Sequence, residues 1–285
     1  MNYNDIDWND IWKSESAGSH WGKNTRSRKE LWDKRADSFS QRINRVSENK
    51  EKLDKNDYIS KMLARIEVQP EWSVLDIGCG PGTLAIPLAK NVRTVTALDI
   101  SGEMLKHLKA NAEKNNLTNI TYVNCPWEEA IDTQQVGVHD VVVASRSLMP
   151  ADLKDTLAKI VSVTGRAAYL TFPVVHLPFD WEVYKAIGRD KKKHAPYIYI
   201  LNQLYRMGIQ ANVEILCSRV KVQFSSIENA IQDLEWRTDP FTQEEKNRLV
   251  EFLKAQFAEQ KDSPVFTHEG YSKWALIWWK KSDQC

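Results

Sequence analysis

The chain has 285 residues, of which 42% are hydrophobic and 27% charged, and its formal net charge is +1. That length buries one large core, or one core with a modest appendage, and a charge so near zero offers no general field for a polyanion, which disfavours nucleic acid as a partner. The start MNYNDIDWND is acidic and polar rather than basic then apolar, and no apolar run reaches about 18 residues, so neither a secretory signal nor a membrane span is expected and a cytoplasmic protein is predicted.

Residues 1–56 read as short helices separated by polar breaks. LWDKRADSFSQRI places Leu31, Trp32, Ala36 and Phe39 near helical spacing. Trp8, Trp12, Trp21 and Trp32 fall in this stretch, which is otherwise too polar to fold alone, so it is expected to dock on the main body as an arm. From residue 57 onward strands and helices alternate. YISKMLARIEV is an amphipathic helix, SVLDI a buried strand and GTLAIPLAKN a helix. TVTALDI is the next strand, and SGEMLKHLKANAEKNN a helix with Ser101 as N-cap and Glu103 in its first turn. NITYVN, HDVVVAS and RAAYLTF follow as strands. This rhythm predicts right-handed βαβ units on a parallel sheet, a doubly wound α/β fold over residues 57–285.

After Phe172 the rhythm breaks. Residues 173–212 are expected to be an insertion between the fifth and sixth strands, with a basic run from Lys191 to His194 and a helix, PYIYILNQLYRMGI, ended by Gly208. NVEILCSRVKVQF is a strand, SSIENAIQDLEW and TQEEKNRLVEFLKAQFAEQ are helices, and SKWALIWWKK is the closing strand. The four cysteines, Cys79, Cys125, Cys217 and Cys285, lie far apart without a C-x-x-C pair, which predicts reduced thiols and neither a metal knot nor a disulfide framework.

The first strand runs into a glycine turn, LDIGCGPGT at residues 75–83. In an open α/β sheet ligands bind at the carboxyl ends of the strands, where this turn lies. The spacing is Gly78-x-Gly80-x-Gly82, and a dinucleotide fingerprint would need its third glycine at Thr83. Asp76, two residues before the turn, would repel a pyrophosphate by about 1 kcal/mol or more, whereas an ammonium or sulfonium is attracted. S-adenosylmethionine has both positive groups and no phosphate. Its ribose needs an acceptor for two hydroxyls, and Asp99 at the end of the second strand is placed to be one.

VLDIGCGPGTLAIPLAK followed by VTALDISGEML resembles motif I and its successor in the class I, Rossmann-like S-adenosylmethionine-dependent methyltransferases, over roughly residues 70–148. The resemblance implies a seven-stranded, mostly parallel sheet whose last strand, SKWALIWWKK, runs antiparallel between its neighbours. It implies that Asp76, Gly78, Cys79, Gly80 and Gly82 surround the methionine moiety, that Asp99 takes the ribose, and that Ile100 and Met104 flank the adenine. Pro126 stands where family members carry an acid for the adenine amino group. Trp127 is then expected either to stack on the purine or to be plain core, with Glu128 or a backbone carbonyl as acceptor. Ser145 completes the expected cofactor set. Cys125-Pro126 reads as structural rather than as a Pro-Cys nucleophile.

After the fourth strand the chain has Ser145-Arg146-Ser147-Leu148 instead of the Asn/Asp-Pro-Pro-aromatic motif of nucleic-acid amine methyltransferases, and no set of metal ligands is evident. Arg146 and His176 are the substrate-side candidates, each with a structural alternative, an ion pair or plain packing. WDKRADSF resembles an N-terminal W-x-x-x-A-x-x-F/Y stretch that covers the cofactor in small-molecule members, with Trp32, Arg35 and Phe39 facing the pocket. The expected function is methyl transfer from S-adenosylmethionine to a small molecule, giving S-adenosylhomocysteine, in a pocket closed by residues 1–56 and 173–212. The alternatives are a silent S-adenosylmethionine-binding module and methylation of RNA or protein. No oligomeric state is legible.

Overall fold

A computed structural model of the protein describes residues 6–16, 25–48, 57–132, 134–148, 150–175, 178–190, 196–237, 241–259 and 265–283. Trp21, His176 and the Lys191–His194 run lie outside the described residues.

Short strands β1 (Ser73–Ile77), β2 (Thr94–Asp99), β3 (Ile120–Asn124) and β4 (His139–Ala144) pair in parallel, and β5 (Thr164–Val175) continues the sheet parallel to β4. The long β6 (Asn212–Phe224) and β7 (Phe266–Lys280) complete it in the order β3-β2-β1-β4-β5-β7-β6. β7 is antiparallel to both neighbours. The central strands are apolar along their length, as in VVVA of β4, because helices cover both faces of a parallel sheet.

Two cores follow, one per face. The first holds Leu75, Ile77, Val142, Ala144, Leu170 and Trp279 under α7 (Leu153–Val163) and α9 (Ile198–Arg206). The second holds Val74, Val95, Val141, Val143, Tyr169 and Leu276 under α3 (Tyr58–Arg65), α4 (Ala85–Ala89) and α5 (Gly102–Lys114). α3 is capped by Asp57, whose carboxylate accepts the Ser60 N–H at 2.7 Å. α5 is capped as predicted by Ser101, whose Oγ accepts the Met104 N–H.

Two features go beyond the expected pattern. Residues 25–48 form one helix of 24 residues, α2, where short helices with breaks were expected. Its polar residues make tertiary bonds described below, which supply the stability that local propensity does not. A third core lies at the far end of the β6–β7 ribbon, where Phe224 pairs with Phe266. There Phe179, Val183 and Ile187 of α8 (Pro178–Ile187) meet Ala230 and Leu234 of α10 (Ile227–Arg237) and Leu249 and Leu253 of α11 (Gln243–Glu259). Arg189 joins α8 to α11 through a bidentate pair with Glu245, both contacts 2.6 Å, and that pair holds the Glu245 carboxyl down at about 2. Because β6 runs parallel to β5, this cap rises from the carboxyl edge of the sheet.

α1 (Trp8–Ser16) docks on the first core. Trp12 is 2% exposed and its indole N–H donates to the Pro150 carbonyl at 2.7 Å. Tyr199 donates to Glu15, and Arg206 donates to the Ile6 carbonyl. Among the described residues no helix is long and apolar enough to cross a membrane, and no group of three or more His, Cys, Asp or Glu is placed to hold a metal.

Candidate functional site

β1 ends at Ile77 and the chain turns through three glycines with positive φ, Gly78 (+68°), Gly80 (+55°) and Gly82 (+96°). That conformation suits glycine, but the surroundings separate the three. A Cβ on Gly78 would lie 2.3 Å from Ser147 Cβ, and one on Gly82 2.3 Å from Leu108 Cδ1. One on Gly80 would meet Phe39 at 3.9 Å, ordinary contact. The turn is tied to β2 by the N–H groups of Gly78 and Cys79, which donate to the Leu98 carbonyl. Cys79 itself is buried, and burial raises its thiol pKa well above the ordinary range. Its side chain packs in the second core.

Asp76 and Asp99 stand side by side at the ends of β1 and β2, 2% and 7% exposed. Burial, reinforced by the Asp99 charge, pushes the Asp76 carboxyl up to about 7. Its Oδ2 is buried without a hydrogen-bond partner, an orphaned acceptor that a ligand's ammonium would satisfy. Burial pushes Asp99 to about 6, eased by its bonds from backbone N–H groups. Ser101 N donates to Oδ1 and Gly80 N to Oδ2, each at 2.8 Å. A carboxylate oxygen accepts two hydrogen bonds, so one lone pair on each oxygen is left for a pair of vicinal hydroxyls.

Beyond β2, Ile100 is half-buried and its carbonyl accepts from Asn124, whereas Met104 is 2% exposed. Cys125 is buried, with its N–H bonded to the Asp99 carbonyl and its thiol to the Pro126 carbonyl. Pro126 precedes α6 (Trp127–Ala130). Trp127 is 6% exposed within the first core, with its indole N–H buried and unpaired. Glu128 is engaged by Arg28 of α2 at 2.7 Å.

That pair is one of several by which α2 spans the carboxyl edge. Asp33 accepts from Ser101 Oγ at 2.6 Å, Asp37 pairs with His107 at 2.8 Å, and Phe39 sits beside Gly80. Arg35 reaches Asp233 of the cap at 3.5 Å. Trp32 meets Phe39 edge-on at 6.1 Å.

At the end of β4, Ser147 Oγ donates to the Ile77 carbonyl at 2.6 Å and locks this turn to the glycine turn. Ser145 and Thr171 Oγ atoms each lie 2.8 Å from the Tyr58 hydroxyl, and the Arg146 guanidinium stands 4.2 Å from the Tyr58 ring centre. Arg146 has φ +56°, unusual for a residue with a side chain. Sequence reasoning missed Tyr58, which reads only as the first turn of an amphipathic helix.

A methyltransferase-domain family model matches residues 74–166. A Haemophilus influenzae protein carrying only the description "uncharacterized protein" is 37% identical over 223 residues, 78% of this chain and 81% of that one. A Bacillus halodurans protein described as a candidate methyltransferase aligns in structure with TM-score 0.54 at 18% identity, covering 79% of this chain and 98% of the other. The 23S rRNA (uracil(1939)-C(5))-methyltransferase of Aliivibrio fischeri is 36% identical over 76 residues, but those are 27% of this chain and 17% of that enzyme.

Proposed function

The chain belongs to the class I S-adenosylmethionine-dependent methyltransferases, and from that premise we propose that it methylates a small molecule held between α2 and the cap formed by α8, α10 and α11. The observation that carries the reading is the enclosure of the carboxyl edge. α2 is bonded to Ser101, His107 and Glu128 on one side and to Asp233 of the cap on the other. A large polymer would need that bridge opened, and the chain's near-neutral charge gives it little attraction. The similarity to the rRNA enzyme covers too little of that enzyme to bring its substrate here.

In this reading S-adenosylmethionine supplies a methyl group on a sulfonium, open to in-line attack by a nucleophile's lone pair. The orphaned Asp76 oxygen receives the ammonium of the methionine end. Asp99 takes both ribose hydroxyls, while its bonds from Gly80 and Ser101 hold its rotamer. The glycine turn gives close approach, and Ile100 and Met104 stand by the adenine. Glu128 serves the helix that closes the site, through Arg28, rather than the purine. Positioning and exclusion of water by α2 supply the acceleration.

The primary test is transfer of labelled methyl to a metabolite panel, a tRNA pool and a cell lysate. Label in small molecules supports the reading, and label confined to RNA or protein overturns it.

Asp76 makes cofactor binding pH-dependent. In the ligand-free fold its proton is held to about 7, whereas the unfolded chain loses it near 3.8. Rising pH across that window therefore works against the ligand-free fold. Binding of an ammonium favours the ionised form and expels the proton below pH 7. The affinity for S-adenosylhomocysteine should rise with pH up to about 7 and level above it, by calorimetry. A flat profile removes Asp76 from the ammonium site.

Trp127 gives a further expectation. With its ring packed and its N–H unpaired, contact with the purine should change its fluorescence on addition of S-adenosylhomocysteine. A Trp127→Phe protein that keeps both the full signal change and the affinity would mark the residue as core alone.

A further inference from the structure

Three hydroxyls meet where β4 ends beside β5, and their proton order can be worked out. Each hydroxyl has one proton and two lone pairs. Thr171 is 1% exposed, and its Oγ1 accepts the Arg146 N–H at 2.9 Å. Among the described residues, the acceptor within reach of the Thr171 proton is the Tyr58 hydroxyl, 2.8 Å away. The reverse direction would leave a buried donor with nothing to bind, which is costly. Thr171 therefore donates to Tyr58. Burial raises the Tyr58 phenol above its usual range, so it keeps its proton and donates it to Ser145 Oγ at 2.8 Å. Ser145 is the half-buried member, at the carboxyl edge. Its own proton is the end of the chain, and among the described residues nothing else bonds to it.

The next residue adds a cation. Arg146 is exposed, and its left-handed backbone is held by the N–H bond to Thr171 and by Ser147, which is tied to Ile77 of β1. Its guanidinium lies against the Tyr58 ring. The buried hydroxyl chain thus fixes a donor and a neighbouring cation on the β4 side of the site, opposite the two acids on β1 and β2. A ligand with a positive end is drawn to Asp76 and Asp99, and one with a negative end to Ser145 and Arg146.

We infer that Ser145 and Arg146 together receive a carboxylate of the methyl acceptor, with Thr171 and Tyr58 as positioning residues. This rests on the small-molecule reading above. It moves Ser145, expected from the sequence beside the cofactor, to the acceptor.

The test uses the full chain saturated with S-adenosylhomocysteine and a set of small aromatic and aliphatic carboxylates, each matched with its neutral primary amide, followed by calorimetry. At least one carboxylate should bind about tenfold or more tighter than its amide, since charge-assisted bonds to a donor and a guanidinium are the stronger kind. Ser145→Ala should cut that preference to about threefold or less while leaving the affinity for S-adenosylhomocysteine within about twofold. Thr171→Val, which keeps the shape and removes the first proton, should lower the preference in the same way from a position that touches no ligand. A purely structural role would not move that ratio at constant cofactor affinity. Amides binding as tightly as their carboxylates, or no carboxylate binding at all, overturns the inference. So does a Ser145→Ala protein that loses S-adenosylhomocysteine itself. If the wild-type protein fails to bind S-adenosylhomocysteine, the methyltransferase reading falls first and this inference with it.

Discussion

Gly78→Ala should lower the melting temperature by roughly 10 °C and abolish measurable binding of S-adenosylhomocysteine. Two independent costs add at this position. A side chain at φ +68° carries strain of about 1–3 kcal/mol. The new Cβ would also lie 2.3 Å from Ser147 Cβ, so Ser147 must move and surrender its bond to the Ile77 carbonyl. The two turns that carry the site would part. Gly80→Ala is the control: its φ is also positive, but the nearest atom is Phe39 Cε1 at 3.9 Å, so only the backbone cost of about 1–2 kcal/mol applies. If the two variants melt at the same temperature, the contact with Ser147 is not what makes Gly78 necessary.

Asp99→Ala should weaken binding of S-adenosylhomocysteine by at least about tenfold, since two hydrogen bonds from ribose hydroxyls to a buried carboxylate are lost. The same change strands the N–H groups of Gly80 and Ser101, and the ligand-free protein should lose about 2 kcal/mol of stability in a denaturant titration. One term opposes both losses. Removing the Asp99 charge relieves its repulsion of Asp76, whose pKa should fall from about 7. Unchanged affinity would refute the ribose assignment, and an Asp76 titration that does not move would show that burial alone holds it.

The parallel sheet was legible because strands covered on both faces read as apolar runs, and SVLDI and VVVA do so without ambiguity. Asp76, the three glycines and Asp99 were legible because charge and spacing together narrow the ligand. What the Asp99 oxygens already hold was not, since those partners are backbone groups that no residue type announces. The sequence of α2 suggests breaks because its serines and aspartates favour turns in isolation, yet Asp33 and Asp37 bind residues 68 and 70 positions away. The third core escaped because its helices, at 178–187, 227–237 and 243–259, come together only through the β6–β7 ribbon. The β7 strand begins at Phe266 rather than near Ser272 for a related reason: FTHEGYS alternates weakly, and its pairing with β6 fixes it. The hydroxyl chain of Thr171, Tyr58 and Ser145 joins three elements, and its direction depends on burial, which sequence spacing does not express.

The docking of α1 has a consequence for the order in which the molecule is made. Trp12 closes on Pro150, 138 positions downstream, and Ile6 and Glu15 on Arg206 and Tyr199, 200 and 184 positions downstream. At synthesis speeds of about 5–20 residues per second, on the order of ten seconds or more separates α1 from its seat on α9. Trp12 can meet Pro150 and Phe172 before that, but Trp8 waits for Tyr199, its ring partner on α9. The segment translated early is thus among the last to settle, and during that interval a chaperone that binds aromatic segments has a target, Trp12, that the finished fold buries.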